Sequence, residues 1–299
     1  MYEGYFNLAL APFQNTPNSR FFFETDQHKE ALAKLEYVVR NRRGFALITG
    51  EIGSGKTTLS RTLIKRIGSE ARIALVNNTR VSAHQLLKLV AQEFQITLPA
   101  VCDKATMLSL LRRYVEQQHA LGRTVVIIID EGQCLSADEF EELRLLTNLE
   151  SETDKLVQLL ILGQPELRDT LRHPRLAPLV QRIAMYCHLN PMSFEDMTRY
   201  IAFRLVRASK PGGRPNVDFS REGLQVIFER SGGVPRLVNL VCDNALLVAY
   251  SANTRLIDSQ IVGRAVGQMM PNLEGAITDI SMVEPAVGRE QELDDGRRL

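Results

Sequence analysis

The chain has no tryptophan, and its 299 residues carry a formal net charge of only +1. A balance so close to neutral gives no global pull toward nucleic acid or an anionic membrane. The four cysteines, Cys102, Cys134, Cys187 and Cys242, are widely separated and form no Cys-x-x-Cys pair. That excludes a zinc-ribbon framework and fits buried free thiols in a reducing compartment. His84, His119, His173 and His188 show no metal-ligand spacing either. No apolar run approaches the roughly 20 residues that span a bilayer. The start, MYEGYFNLALAPF, lacks the basic residues and long apolar stretch of a secretory leader. These absences predict a soluble, cytoplasmic protein without a transmembrane segment of its own. Internal repeats are also missing.

Several features stand out against that background. Tyr2, Tyr5, Phe6, Phe13, Phe21, Phe22 and Phe23 crowd the first 25 residues, with Pro12 and Pro17 between them, and mark a structured lead-in. Residues 26–41 have helical periodicity. Apolar runs then alternate with amphipathic segments: GFALIT, RIALVNN, TVVIIID, LVQLLIL and RIAMYCHL read as strands, with helices between them. Continuous apolar strands separated by helices predict an α/β fold whose parallel sheet is covered on both faces. After Pro191 the pattern is helical only, over about 193–208, 221–231, 235–252 and 258–269. We therefore expect an α/β domain over 1–191, a small helical lid over 192–270 and an acidic, disordered tail over 271–299.

The strand GFALIT runs into Gly50-Glu51-Ile52-Gly53-Ser54-Gly55-Lys56-Thr57-Thr58, a P-loop pattern in the required strand–helix context. Glycines there let backbone N–H groups turn toward phosphate oxygens, and the helix that follows adds its positive end. Lys56 is expected to reach the β- and γ-phosphates and the Thr57 hydroxyl to ligate Mg²⁺. The strand VVIIID delivers Asp130 and Glu131 to the same sheet edge. Asp130 is the expected second metal residue, and Glu131 the base that polarises attacking water. The adjacent Glu and the lack of an Asn-Lys-x-Asp guanine motif favour ATP over GTP. Gln164, after LVQLLIL, is a candidate γ-phosphate sensor or water-orienting group, or a plain loop residue. Arg182 is a candidate arginine finger for a neighbouring subunit, with Arg172 and Arg175 as competitors. Arg236 follows a proline at a helix start, where the dipole disfavours a cation, so an anionic partner would explain it. Asn77 and Asn78 are weaker candidates to gate Glu131. His28 reads as a capping or surface residue, with a nucleotide contact as the alternative.

Together, YFNLALAPFQNTPNSRFFF, GFALITGEIGSGKTT, VVIIIDEGQCL, LLILGQPEL, QRIAMYCHLNPMS and GGVPRLVNLVCDNAL resemble AAA+ ATPases of the ExeA/GspA type, including those of MSHA pilus biogenesis. The resemblance covers residues 1 to about 270. It implies an additional-strand P-loop fold and a homo-oligomer that uses ATP and Mg²⁺ to serve type II secretion or type IV pilus-like assembly. It also implies recruitment to the inner membrane by a partner. It places Phe13 beside adenine and supports Arg182 as finger and Arg236 as lid sensor. ExeA-type chains continue into a transmembrane helix and a peptidoglycan-binding domain, whereas this sequence ends in an acidic stretch, which favours the shorter form. Two alternatives remain at this level: a transposition regulator of the TniB/TnsC kind that oligomerises on DNA, and a slow ATP-operated switch that docks a partner.

Overall fold

The computed structural model describes residues 1–16, 19–77, 79–150 and 154–269. The acidic stretch from 271, Pro17 and Asn78 lie outside the described residues. In chain order the elements are α1 (Asp26–Arg40), β1 (Phe45–Gly50), α2 (Lys56–Ile67), β2 (Ala71–Val76), α3 (Ala83–Glu93), α4 (Lys104–Ala120), β3 (Thr124–Ile129), α5 (Ala137–Thr147), β4 (Val157–Gly163), α6 (Glu166–Leu171), α7 (Ala177–Val180) and β5 (Ile183–Leu189). There follow α8 (Phe194–Ala208), β6 (Asp218–Phe219), α9 (Arg221–Ser231), α10 (Pro235–Ser251), β7 (Leu256–Ile257) and α11 (Ser259–Gln268).

The first five strands form one parallel sheet in the order β2-β3-β4-β1-β5. The strand period of two divides each central strand between two cores. Val125, Ile127 and Ile129 of β3 join Leu47, Leu159 and Ile161 beneath α3, α4 and α5. Val126 and Ile128 join Ile48, Leu160 and Leu162 beneath α1 and α2. This double coverage is why β1 and β4 are mainly apolar, with Thr49 and Gln158 as the polar exceptions, and are buried along their whole length. Each such side chain contributes about 1.5–3 kcal/mol of burial. The helices start where short polar side chains satisfy free N–H groups. Thr25, Asp103, Ser193 and Ser220 cap α1, α4, α8 and α9, and Ser82 and Ser136 form capping boxes with Gln85 and Glu139.

The helical part forms a third core. Val238, Val241, Cys242, Ala245 and Leu246 of α10 pack with Met197, Ile201 and Leu205 of α8 and with Ile261 and Val262 of α11. The two-residue strands β6 and β7 pair in parallel at its edge, a feature too short to leave a periodic signal in the sequence. Tyr2, Phe6, Leu8, Phe13 and Phe21 belong to this same cluster. The sequence division had grouped residues 1–25 with the α/β domain; their packing differs. The reason lies in their polar partners. Ala9 N donates to Ala208 O at 2.7 Å, Asn216 N donates to Phe6 O at 2.8 Å, and the Tyr2 hydroxyl donates to Asp243. The lead-in is therefore stitched to the end of α8 and the 209–216 loop, and its rings other than Phe22, which packs beneath α1 and α2, join the lid core.

Candidate nucleotide-binding site

β1 ends at Gly50, and α2 begins six residues later at Lys56, so the intervening turn sits at the carboxyl edge of the sheet. Gly53 and Gly55 adopt left-handed φ values of 82° and 99°, which an L side chain resists. A Cβ on Gly53 would also lie 2.3 Å from Arg236 Cβ. The P-loop and the start of α10 are thus in direct contact.

Lys56 is buried, and its Nζ donates to the carbonyls of Gly50 at 2.5 Å and Glu51 at 2.8 Å. Burial holds its ammonium below the ordinary lysine range, partly offset by the nearby Glu131, Asp130, Glu51 and Glu166 carboxylates. Among the described residues none is a salt-bridge partner for it. Ser54 Oγ, in the same turn, is buried without a hydrogen-bond partner among the described residues. A desolvated ammonium and an orphan hydroxyl inside a turn of this shape fit a polyphosphate.

The second strand edge meets the first at one bond. Thr57 Oγ1 donates to Asp130 Oδ2 at 2.6 Å, and Asp130 Oδ1 accepts from Glu131 N at 3.0 Å. Asp130 is 4% exposed, held where Asp130 N bonds Val76 O. A hydroxyl and a carboxylate in contact are hard oxygen donors suited to Mg²⁺, which takes one or two protein ligands alongside phosphate and water. No cluster of three or more His, Cys, Asp or Glu forms a metal cage among the described residues.

Glu131 sits at φ 58° and is exposed. Its carboxylate accepts from Gln133 Nε2 at 2.6 Å, while Gln133 Oε1 accepts from Gln164 N at 3.0 Å. One amide therefore ties the acidic pair to the end of β4. Thr79 Oγ1 donates to Glu131 O at 3.1 Å. Among the described residues these two, rather than Asn77, hold Glu131. Neither was anticipated, although Gln133 stands two places after Glu131 in the quoted motif.

These groups line a cavity of about 400 Å³. Ile52, Gly53, Ser54, Gly55, Lys56, Thr57 and Thr58 form its floor, with Glu131, Gln164 and Arg236 around them. Glu51 contributes its carbonyl from outside the lining. The rest of the lining includes Gln14, Asn15, Thr16, Phe21, Phe22, Phe23, Tyr200, Arg204 and Asn239. Phe13 is not in that lining: it is 2% exposed within the lid cluster, and the three residues after it reach the cavity instead. His28 is a wall residue rather than a surface one. Thr25 Oγ1 caps its N–H and lies 2.6 Å from its Nδ1, and burial lowers its pKa, which favours a neutral imidazole. Arg182 stands apart. Phe45 pairs with Ile183, so Arg182 lies at the amino edge of the sheet, one strand length or about 17 Å from the P-loop edge. It is 3.9 Å from Glu150 Oε1 there and does not line the cavity.

Residues 39–171 match the AAA domain family. The chain is 39% identical over 257 residues to General secretion pathway protein A of Aeromonas hydrophila, an alignment covering 86% of this chain and 46% of that protein. It is 28% identical over 160 residues to an uncharacterized HTH-type transcriptional regulator of Methanocaldococcus jannaschii, 52% of this chain and 38% of that one. The chain thus spans less than half of either relative. Among solved structures it superposes on Cdc6p from Pyrobaculum aerophilum with a TM-score of 0.65 at 18% identity, covering 87% of this chain and 71% of that one. The Aeropyrum pernix ORC2 protein, solved in ADPNP–ADP complexes, gives 0.62 at 19%, covering 85% and 72%.

The chain has the parallel-sheet α/β fold of AAA+ P-loop proteins and carries an AAA domain over residues 39–171. At these identities the likeness to the solved structures is one of fold. Among the described residues no helix is long and apolar enough to cross a membrane.

Proposed function

We propose that this AAA+ chain hydrolyses ATP with Mg²⁺ as part of a homo-oligomer, and that the cycle drives assembly or remodelling of a type II secretion or type IV pilus-like machine. The observation that carries the chemical half is the Thr57–Asp130 contact beside Lys56 and Glu131. The name of the Aeromonas relative supports the biological half.

In this reading Lys56 neutralises phosphate charge, and Thr57 and Asp130 hold the metal. Mg²⁺, when bound, neutralises charge developing on the β- and γ-oxygens. Glu131 accepts the proton of the attacking water once the Gln133 amide releases its carboxylate. Gln164, tied to the same amide through its backbone, reports on the γ-phosphate. Arg236 joins the phosphates from the lid, and Arg182 arrives from the neighbouring subunit. The chain works at the cytoplasmic face of the inner membrane, brought there by a partner.

The test is ATP turnover against protein concentration, with and without chelator. Wild type rises more steeply than linearly and stops with EDTA. Glu131→Gln binds ATP and falls about 10²–10⁴-fold in turnover. Arg182→Ala loses the steep rise, and mixing it with Glu131→Gln restores activity, because the mixed interface contains one intact base and one intact finger. Linear turnover, or Arg182→Ala behaving as wild type, refutes the shared site. Turnover or oligomerisation that requires duplex DNA would redirect the reading to the DNA-bound alternative.

A further inference from the structure

Arg204 on α8 is a buried arginine, 5% exposed, that lines the cavity. Among the described residues it has no salt-bridging carboxylate. Its donors are spent on neutral oxygens. Nε donates to Pro12 O at 2.6 Å and Nη2 to Gln14 O at 2.9 Å. Nη1 donates to the Tyr200 hydroxyl and, at 3.1 Å, to Asn239 Oδ1. Its guanidinium lies 5.0 Å from the Phe21 ring centroid. Asn239 extends the network: its Oδ1 also accepts from the Tyr200 hydroxyl at 2.8 Å, and its Nδ2 donates to Asn15 Oδ1 at 3.1 Å.

A buried cation costs several kcal/mol unless its donors are met, and removing it would orphan the carbonyls turned toward it. The two carbonyls that meet it belong to the segment whose next residues, Asn15 and Thr16, line the same cavity as the phosphate loop. Phosphates anchored on residues 50–58 leave the rest of the cavity lining to the nucleoside.

We infer that Arg204 is a positioning residue for the nucleoside end of the site: by holding the Pro12 and Gln14 carbonyls against α8 and α10, it fixes the wall that the base and ribose meet. This rests on the nucleotide reading above.

Calorimetric titration of the full chain with MgATP and, separately, with magnesium tripolyphosphate separates the two ends. Arg204→Met, of similar length and apolar, is expected to weaken ATP at least tenfold and tripolyphosphate less than twofold. Arg204→Lys gives partial recovery, because one ammonium cannot span both carbonyls and Asn239. Circular dichroism and melting check that each variant is folded. A folded Arg204→Met that binds ATP like wild type overturns the inference, as does an equal loss for both ligands, which a merely structural role would give. If Arg204→Met does not fold, Asn15→Ala decides: it leaves the arginine in place and should weaken ATP about threefold with tripolyphosphate unchanged, and no change in ATP overturns the inference. Wild type binding neither ligand would refute the nucleotide reading itself and this inference with it. Wild type binding ATP, with Arg204→Met unaffected, refutes only the inference.

Discussion

The two walls of the cavity are built by different rules. The phosphate wall comes from one nine-residue stretch, 50–58, and from Asp130 and Glu131 at the end of the neighbouring buried strand but one. The wall proposed for the nucleoside comes from residues 14–16 and from Phe21, Phe23, Tyr200, Arg204 and Asn239, which only the folding of the lid brings together. Backbone donors aimed at a small anion need fixed dihedral angles, and fixed angles demand particular residues in a row. A flat apolar ring needs only a shaped surface, which packing can assemble from any part of the chain.

That contrast can be attacked from both sides. The largest effect is expected from Phe6→Ala. Phe6 is fully buried in the lid cluster, so the change should cost about 3–5 kcal/mol. Chemical denaturation should then show the lid transition shifted and the sheet transition in place; a joint shift would mean that the strap belongs equally to both cores. Next, Lys56→Ala should cost about 2–5 kcal/mol of affinity for ATP and for tripolyphosphate alike, since it removes the buried charge under the phosphates. Calorimetry reads both, and a loss confined to ATP would place Lys56 on the wrong wall. Gly53→Ala is smaller, about 1–2 kcal/mol from left-handed backbone strain, yet it also drives a Cβ into Arg236. It should therefore weaken ATP by loosening the seam between the walls, measurable as a roughly 5–30-fold change in Kd. The smallest effect is on pH dependence. Burial holds the His28 imidazole below its ordinary value of 6.5, so the unfolded chain takes up that proton first. Its contribution to stability is complete above about pH 6.5 and is lost as pH falls through the lower folded value. Melting temperatures of His28→Gln should thus fall less on acidification than those of wild type. His188, also lowered chiefly by burial, keeps part of the slope in the variant.

Much of the sheet domain was legible because its signals are local. The run TVVIIID can only be a strand buried on both faces, and it became β3. The P-loop announced itself through Gly53 and Gly55, the two positions whose left-handed backbone only glycine takes without strain. The lid helices were equally clear from their apolar spacing, and α9 runs over Arg221–Ser231 as that spacing required. Less local features escaped. The family resemblance puts Phe13 beside the base, but an aromatic ring carries no address, and Phe13 is buried in the lid core. His28 looked like a surface residue because its burial depends on Phe22 and the P-loop closing over it. Gln133 was overlooked because a glutamine announces nothing until the carboxylate and the backbone N–H it bridges lie on either side of it.

The sequence by itself determined the order of strands and helices, the phosphate turn and the acidic pair, since each depends on dihedral preference and periodicity within a few residues. Tertiary structure alone decided that the N-terminal strap folds into the lid and that a buried arginine bonds it there. Those outcomes depend on which apolar faces and unmet hydrogen bonds find each other across 190 or more residues, as Pro12 and Gln14 find Arg204, and nothing local to either end records the match.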